Sequence, residues 1–196
     1  MTFTLNFSEG IALVVGGSGG IGSVIASRLA MAGTQVAITY YKNRSAAEDL
    51  CAEINQKGGQ CFPYELDIRD DKAVAKLIEE LVGEFSNIHS VINAAGFDIP
   101  QKMIADLDQE TWHQVIDSDL NGFFNLVSCS LKHLRKSGGS YIFISSAGLL
   151  RYPPGDILSV APKAAIESLI KGIAKEEGVN NIRANSIALG VIETGI

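Results

Sequence analysis

A glycine-rich segment directly after the first apolar run is the feature that most restricts what this chain can fold into. The apolar run Ile11–Val15 leads into Gly16-Gly17-Ser18-Gly19-Gly20-Ile21-Gly22, and a helical pattern covers Ile21–Ala32. Glycines permit a sharp turn and let backbone N–H groups approach phosphate oxygens, and a helix N-terminus adds partial positive charge. A strand, this loop and a helix in succession predict a βαβ unit that binds the phosphates of a nucleotide.

Short apolar runs alternate with longer helical patterns along the whole chain. The runs are mostly β-branched or aromatic and apolar on both faces, which is typical of buried parallel strands. This alternation predicts one Rossmann-type domain over residues 1–196, a doubly wound parallel α/β sheet in three layers, α/β/α. The predicted strands are Ile11–Val15, Gln35–Tyr40, Gln60–Glu65, Ser90–Asn93, Ser140–Ile144 and Arg183–Ile187. The predicted helices are Ile21–Ala32, Ser45–Lys57, Asp71–Phe85, Thr111–Lys136 and Val160–Glu177.

Charge and hydropathy limit the classes of partner. Lys and Arg total 16 against 22 Asp and Glu, a net charge of −6, so the acidic surface argues against nucleic acid or an anionic membrane. The first ten residues lack the basic and apolar regions of a signal peptide, and no apolar run approaches the ~20 residues of a membrane span. We therefore expect a cytoplasmic protein.

The cysteines and histidines do not form a recognisable metal or disulfide pattern. Cys51, Cys61 and Cys129 are too few and too irregularly spaced for a disulfide framework, and the three histidines are scattered. We expect reduced thiols and no metal site.

Four further segments, together with the glycine spacing, carry a family resemblance. Gly16, Gly20 and Gly22 form G-x-x-x-G-x-G rather than the G-x-G-x-x-G of many Rossmann proteins. The further segments are Asn93-Ala94-Ala95-Gly96, Ser145-Ser146, Lys163 with the residues before it, and Asn185–Thr194. Over nearly its whole length the chain resembles the short-chain dehydrogenases/reductases, in particular 3-oxoacyl-acyl-carrier-protein reductases and related enoyl reductases.

The resemblance implies a nicotinamide dinucleotide cofactor and assigns residues to it. Asp67 would contact the adenine ring, Asn93 would begin the segment beside the adenine ribose, and the stretch ending at Thr194 would close over nicotinamide, with Leu189 in place of the usual proline. The implied cofactor-binding residues are Gly16, Ser18, Gly20, Ile21, Gly22, Tyr40, Lys42, Arg44, Asp67, Ile68, Asn93, Ala94, Ala95, Gly96, Lys163, Gly190, Ile192 and Thr194.

The end of the second predicted strand favours NADP(H) over NAD(H). A carboxylate there would bind the ribose 2′-hydroxyl and repel a 2′-phosphate. The chain instead continues from Tyr40 through Lys42 to Arg44 without an acid, so Lys42 or Arg44 would bind the 2′-phosphate. The alternative is that both are solvated residues at the start of a helix.

The position that matters most for catalysis departs from the family pattern. The family has a tyrosine four residues before the active-site lysine, but the tyrosine position before Lys163 holds Ser159. In carbonyl reduction the tyrosine protonates the substrate oxygen, with its pKa of ~10 lowered by the lysine cation. The resemblance implies that Ser146 donates a second hydrogen bond to that oxygen and that Asn121 carries a proton relay through water. Ser159 cannot repeat the tyrosine's role directly, because its hydroxyl is closer to the backbone and less acidic.

Three explanations of this departure stay open. Ser159 could be the N-cap of the last helix, with Pro162 at the third helical position. Tyr152, in the loop 148–158 that lines the substrate pocket in the family, could supply the phenol. Asp156 could supply the proton if burial raised its pKa. The candidate catalytic residues are Ser146, Lys163, Asn121, Tyr152 and Ser159.

These expectations favour an NADP(H)-dependent oxidoreductase that reduces a carbonyl or an activated double bond, on a small molecule or an acyl thioester. The alternatives are a nucleotide-binding scaffold or regulator without catalysis, and an enoyl-thioester reductase. The resemblance also implies a homo-oligomer, a dimer or tetramer. Members of the family usually continue past the position of Thr194 into a substrate lid and a seventh strand. We expect residues 1–196 to lack both, either because the protein is naturally short or because the sequence lacks its end.

Overall fold

A single parallel sheet forms the centre of the computed structural model, which describes residues 6–96 and 98–192. Its strands lie in the order β3-β2-β1-β4-β5-β6, and every neighbouring pair is parallel. The order reverses at β1, because the chain builds outward from β1 to one edge and from β4 to the other. The strands are β1 (Ile11–Val15), β2 (Gln35–Tyr40), β3 (Gln60–Glu65), β4 (Ile88–Asn93), β5 (Gly139–Ser146) and β6 (Ile182–Leu189).

Helices cover both faces of this sheet, which confirms the predicted three-layer arrangement. The helices are α1 (Gly20–Met31), α2 (Arg44–Gln56), α3 (Asp71–Phe85), α4 (Gln109–Val115), α5 (Gly122–Ser137) and α6 (Ile157–Glu177). Ala26 and Ile54 pack α1 and α2 on one face, and Leu81, Leu126 and Ile166 pack α3, α5 and α6 on the other. Within the described ranges, no helix combines the length and apolar character needed to cross a bilayer.

The reversal of strand order at β1 determines where a ligand can bind. Val15 ends β1 opposite Asn93 at the end of β4, and the connections from these two strands leave toward opposite sides of the sheet. In open α/β sheets this divergence creates a crevice beyond the carboxyl ends of the strands. The glycine-rich loop begins at this point.

The predicted long helix Thr111–Lys136 is interrupted, which corrects that prediction. Helix α4 ends at Val115, a π-helical segment runs over Ile116–Asn121, and α5 begins at Gly122. A π segment widens the backbone by about one residue per turn and changes which side chains face the sheet. The π segment matters because it lies beside α6 at the crevice.

The last helix begins earlier than predicted. Helix α6 starts at Ile157, and Asp156 precedes it without a side-chain capping bond. The prediction that Ser159 is the N-cap is therefore wrong, because Ser159 is the third helical residue. Pro162 falls at the sixth position and not the third, where it removes one backbone donor from the helix. Ser159 is left with its hydroxyl free for another partner.

Candidate active site

The glycine-rich loop is fastened to its two neighbouring strands by backbone hydrogen bonds. Gly16 N–H donates to the hydroxyl of Thr39 at 3.2 Å, and Gly17 N–H donates to the Thr39 carbonyl oxygen at 3.1 Å. Ala94 N–H donates to the Val15 carbonyl oxygen at 3.0 Å. These bonds hold the loop against β2 and β4, so its remaining N–H groups and the start of α1 face the crevice.

Two of the glycines are required by close packing. Gly16 has a φ of +71°, and a Cβ there would lie 2.6 Å from the Ala95 Cα atom. A Cβ on Gly22 would lie 2.1 Å from the Gly16 carbonyl oxygen. Gly22 does not line the crevice; it brings α1 close to the loop, so its contribution to cofactor binding is indirect.

A cleft of about 800 Å³ extends from this loop along the carboxyl ends of the strands. It is large enough for most of a dinucleotide by the usual range of ligand pockets. The predicted residues that line it are Gly16, Ser18, Gly20, Ile21, Tyr40, Lys42, Asp67, Ile68, Ala94, Ala95, Gly96, Ser146, Ser159, Lys163 and Gly190. Those outside its lining are Gly22, Arg44, Asn93, Asn121, Tyr152 and Ile192, and Thr194 lies outside the described residues.

Asn93 acts on the cleft through the backbone. It is buried at the end of β4, and its side-chain oxygen accepts a hydrogen bond from Ala95 N–H at 3.1 Å. This bond turns the chain so that Ala94, Ala95 and Gly96 form the wall of the cleft. Asn93 is therefore a positioning residue in this structure.

The end of the cleft beyond β2 and β3 contains a charged group that the sequence did not indicate. Arg69 donates to both carboxylate oxygens of Asp67, with Nε 2.9 and 3.1 Å from them, and its Nη2 donates to the Tyr41 hydroxyl at 3.0 Å. The Arg69 guanidinium lowers the pKa of Asp67. Asp67 is thereby an ionised acceptor at the position where the resemblance implies adenine.

The two basic residues after β2 differ in their surroundings. Lys42 lines the cleft, with its Nζ 5.3 Å from the centre of the Tyr41 ring. Arg44 begins α2 and pairs with Glu65 at 3.4 Å and with Glu48 at 3.6 Å. Lys42 is the better placed of the two for a phosphate in the cleft.

The opposite end of the cleft gathers three polar side chains from β5 and α6. Ser146 ends β5, and its Oγ accepts a hydrogen bond from Gly148 N–H at 3.0 Å. Lys163 Nζ donates to Ser159 Oγ at 3.3 Å. Ser145, beside Ser146, is buried with its hydroxyl unpaired among the described residues. The hydroxyl groups of Ser146 and Ser159 and the ammonium of Lys163 therefore face the same part of the cleft.

The partner of Lys163 on the neighbouring element is a carboxylate. Asp119, in the π segment, has an Oδ2 atom 3.7 Å from Lys163 Nζ, and its side chain is only 9% exposed. Burial raises the pKa of Asp119, and the Lys163 ammonium offsets part of that rise. Sequence reasoning missed this residue.

Asn121, which the resemblance assigns to the proton relay, lies outside the cleft lining, and that role stays a prediction. Its side chain is exposed and donates to Asp117 Oδ1 at 2.7 Å, on the outer side of the π segment. Asp117, Asp119 and Asn121 alternate along the chain, and only the backbone register of the π segment determines that Asp119 faces α6. The signal available in the sequence was the polar alternation itself, which does not say which member is turned inward.

The two substitute proton donors are not brought into the cleft. Tyr152 is 47% exposed and is not among the cleft-lining residues. Asp156 also lies outside that lining, although burial raises its pKa while Lys163 lowers it. The structure places Ser159, and neither of these residues, beside Lys163.

Comparison with known proteins shows the family to which the chain is similar. A family model described as Enoyl-(Acyl carrier protein) reductase matches residues 15–196. The chain is 35% identical over 182 residues to the 3-oxoacyl-acyl-carrier-protein reductase FabG of Staphylococcus aureus, covering 92% of this chain and 74% of that protein.

Solved structures of short-chain dehydrogenases/reductases are similar to the fold of this chain. A short-chain type dehydrogenase/reductase from Mycobacterium ulcerans has a TM-score of 0.91 at 27% identity, over 97% of this chain and 70% of that one. A short chain dehydrogenase from Burkholderia cenocepacia J2315 in complex with NADP has a TM-score of 0.87 at 30% identity, over 93% and 74%.

A glycine loop at the switch point of a parallel sheet, with a serine and a lysine at the far end of the same cleft, defines a dinucleotide-binding oxidoreductase. The chain belongs to the short-chain dehydrogenase/reductase family. Its cofactor is a nicotinamide dinucleotide.

Proposed function

We propose that this protein is an NADP(H)-dependent reductase of 3-oxoacyl thioesters. The observation that carries the proposal is that Ser146, Ser159 and Lys163 line the same cleft as the glycine loop. Hydroxyl and ammonium groups at one end of a dinucleotide cleft are suited to a carbonyl oxygen that becomes negatively charged. The identity of 35% to a FabG supports the acyl-thioester substrate.

The cofactor fits the residues present. The open space above Gly19 and Gly96, where a Cβ would meet little or nothing, leaves room for phosphate and ribose against the backbone. Ser18 and the first N–H groups of α1 would hold the pyrophosphate, and Lys42 would hold a 2′-phosphate. When bound, NADPH supplies the hydride that reduces the carbonyl carbon.

The protein's own residues then steady and protonate the substrate oxygen. Ser146 donates a hydrogen bond to it. Ser159 Oγ–H delivers the proton through a bridging water, because the serine hydroxyl lies too close to the helix to take the tyrosine's place directly. Lys163 Nζ, 3.3 Å from Ser159 Oγ, returns a proton to that hydroxyl. Asp119 lies 3.7 Å from the same Nζ. In its acid form, Asp119 donates the proton that restores the Lys163 ammonium. In its ionised form, Asp119 stabilises the positive charge of that ammonium. In this scheme Asp119 and Ser159 together replace the family's asparagine and tyrosine.

The buried position of Asp119 is the reason for including it. A carboxyl group that is 9% exposed is destabilised as an anion, because the protein interior solvates charge poorly. A raised pKa brings the group closer to working pH, where an acid can both give and regain a proton.

The test is NADPH oxidation with a 3-oxoacyl thioester and a 2-enoyl thioester offered in parallel. The proposal predicts turnover of the 3-oxoacyl substrate that falls in Lys163→Ala and Ser146→Ala while NADPH still binds to Ser146→Ala. Tyr152→Phe is the matched control, since Tyr152 lies outside the cleft and its loss should leave the rate unchanged. Turnover of the enoyl substrate alone would replace this proposal with an enoyl-thioester reductase, the description carried by the matching family model.

A second candidate is a nucleotide-binding scaffold or regulator without turnover. It is favoured by Ser159 in place of the family's tyrosine. When Asp119 is ionised beside Lys163, its charge also weakens the positive field that would acidify a neighbouring hydroxyl. NADPH binding by fluorescence with no oxidation over both thioesters would decide for this candidate.

A homo-oligomer remains part of the proposal. Phe124 on α5 is 54% exposed, and the family resemblance implies pairing through α5 and α6. Light scattering of the purified protein distinguishes a monomer from a dimer or tetramer.

A further inference from the structure

Two cysteines outside the cleft lie against each other between α2 and β3. Cys51 is on the buried face of α2, and Cys61 is the second residue of the edge strand β3. Their side chains are 3% and 2% exposed, and their Sγ atoms are 2.6 Å apart. This separation is roughly half an ångström longer than the ~2.05 Å of a covalent S–S bond.

The surrounding backbone holds this pair together independently of the sulfurs. The side chain of Asn55, one helical turn after Cys51, bonds both backbone groups of Cys61. Cys61 N–H donates to Asn55 Oδ1 at 2.8 Å, and Asn55 Nδ2 donates to the Cys61 carbonyl oxygen at 3.2 Å. A short turn, residues 57–59, connects α2 to β3. The helix and the strand are therefore registered so that the two thiols must face one another.

We propose that Cys51 and Cys61 form a modification site, a thiol pair that hydroperoxides convert into an intramolecular disulfide between α2 and β3. Both residues are free thiols in this structure. The net reaction consumes two thiols and one hydrogen peroxide and yields one disulfide and two waters. The two sulfurs are oxidised and the peroxide oxygens are reduced.

The two thiols have distinct roles in this reaction. The two thiols share one hydrogen bond in which either sulfur can donate. When Cys51 donates, the bond lowers the pKa of Cys61, and a backbone hydrogen bond from Phe62 lowers it further. Cys61 is thus the sulfur that ionises more readily and attacks the peroxide O–O bond, forming a sulfenic acid and releasing hydroxide, which takes up a proton to become water. The Cys51 sulfur then displaces water from that sulfenic acid, with its own proton leaving in the water.

The burial of both thiols determines which oxidants can react with them. A hydroperoxide as small as hydrogen peroxide can reach a thiol covered by a few atoms, whereas a bulky disulfide such as oxidised glutathione must wait for α2 to separate from β3. The pair is therefore expected to oxidise faster with peroxide than with a disulfide at equal concentration. Thiol–disulfide exchange requires access of the whole reagent to the attacked sulfur.

The cross-link would act on the edge of the sheet. Arg44 already links the start of α2 to the end of β3 through Glu65, and the disulfide would tie the second half of the helix to the start of the strand. Closing a loop of about ten residues is expected to raise Tm by roughly 5–10 °C. Hydrogen exchange in β3 should slow in the same state.

The experiment treats the full chain with hydrogen peroxide, quenches it with an alkylating agent in denaturant, and maps peptides without reduction. The chain has three cysteines, so two of the three thiols should disappear into one cross-linked peptide containing Cys51 and Cys61, and dithiothreitol should restore them. Cys129→Ser is the matched control and should give the same cross-link. Recovery of three free thiols, or an adduct on Cys129 without the cross-link, would overturn the proposal.

The order of attack has its own readout. In Cys51→Ser the sulfenic acid on Cys61 cannot be resolved, so dimedone added together with the denaturant after peroxide treatment should label Cys61. In Cys61→Ser, dimedone should label Cys51 weakly, because that thiol has lost its activated partner. Equal labelling in the two variants would contradict the assigned roles. Circular dichroism establishes that each variant is folded. The peptide map of the peroxide-treated wild-type chain tests the cross-link without any variant.

Discussion

The Oδ2 atom of Asp119 lies 3.7 Å from the Nζ atom of Lys163, and the same Nζ donates to the Ser159 hydroxyl at 3.3 Å. A carboxyl, an ammonium and a hydroxyl thus form a chain that ends in the cleft. Ser159 occupies the position where the resemblance predicts a tyrosine, and Asp119 lies two residues before Asn121, to which the resemblance assigns the relay.

Replacing Asp119 by Asn should lower kcat for the 3-oxoacyl thioester about tenfold or more, at the low end of general acid–base effects. The acid form of Asp119 supplies the proton, so the wild-type rate should fall as pH rises through the raised pKa of Asp119. That fall should vanish in the variant. Asp117→Asn is the control, because Asp117 bonds Asn121 on the exposed side of the segment. A pH profile identical in Asp119→Asn and wild type would remove Asp119 from the relay.

Replacing Ser159 by Tyr should increase kcat, by about tenfold or more, with little change in the Kd for NADPH. A phenol has a pKa of ~10 and reaches farther from the helix than a serine hydroxyl, so it protonates an alkoxide more readily. Ser159→Phe adds similar bulk without the hydroxyl and should abolish the reaction. Stopped-flow reduction and fluorescence titration separate the two effects, and an equal loss in Tyr and Phe variants would show that bulk alone is decisive.

Replacing Lys42 by Ala should weaken NADPH binding about tenfold and leave NADH binding unchanged. One exposed charge-assisted contact to a phosphate contributes on the order of 1.5 kcal/mol, which is about tenfold in Kd. Arg44→Ala is the matched comparison, because Arg44 is engaged with Glu65 and does not line the cleft. Isothermal titration with both cofactors measures the difference. A larger effect in Arg44→Ala would reverse the assignment.

Replacing Gly22 by Ala should abolish measurable cofactor binding and lower Tm by about 5 °C or more. The added Cβ would lie 2.1 Å from the Gly16 carbonyl oxygen, so α1 and the loop must separate. Gly83→Ala is the opposite case: no atom lies within 4 Å of its Cβ position in α3, and alanine favours a helix interior. Differential scanning calorimetry should show a decrease for the first and an increase for the second.

The Arg135–Glu177 pair should make the fold sensitive to acid. Arg135 donates to the two carboxylate oxygens of Glu177 at 2.7 and 2.5 Å and lowers the pKa of Glu177 to about 2. A depressed folded-state pKa contributes stability that is present above the ordinary glutamate value of ~4.3 and is lost as pH falls toward 2. Glu177→Gln should therefore lower Tm at pH 7 and flatten its decrease between pH 5 and 2. An unchanged slope would show that other carboxyls govern acid unfolding.

The strands were the most predictable part of the fold. The bounds of β1 and β2 follow from their apolar or β-branched residues, because strands buried on both faces are rich in such residues. The bounds of the edge strand β3 also match the prediction, although most of its residues are only half-buried or exposed. Strand β4 starts two residues earlier than predicted, at Ile88, since His89 is buried there with its ring bonded to Thr34. Strand β5 extends to Ser146, where backbone pairing to Leu189 continues the ladder through serines.

The site was less predictable for a reason of geometry. Ser146, Ser159 and Lys163 were found from the family resemblance, whose spacing carries over because these residues lie on regular elements. Asp119 was missed because its orientation depends on the π segment, whose backbone register leaves no mark in composition. Arg69 was missed because its partner Tyr41 is 28 positions away and approaches it only when β2 and β3 pair.

The wide turn between α4 and α5 has a consequence for how proteins of this kind can diverge. Loss of a single residue within Ile116–Asn121 would restore regular helical winding, because the π segment accommodates one extra residue, and the helical turns on either side would keep nearly the same orientation while a different residue of the segment faced α6. The group presented to Lys163 would then change although no substitution had occurred at position 119. In such a lineage an insertion or deletion could change the acidic group beside Lys163 as directly as a point mutation. A sequence alignment without gaps in this helix would not detect the change.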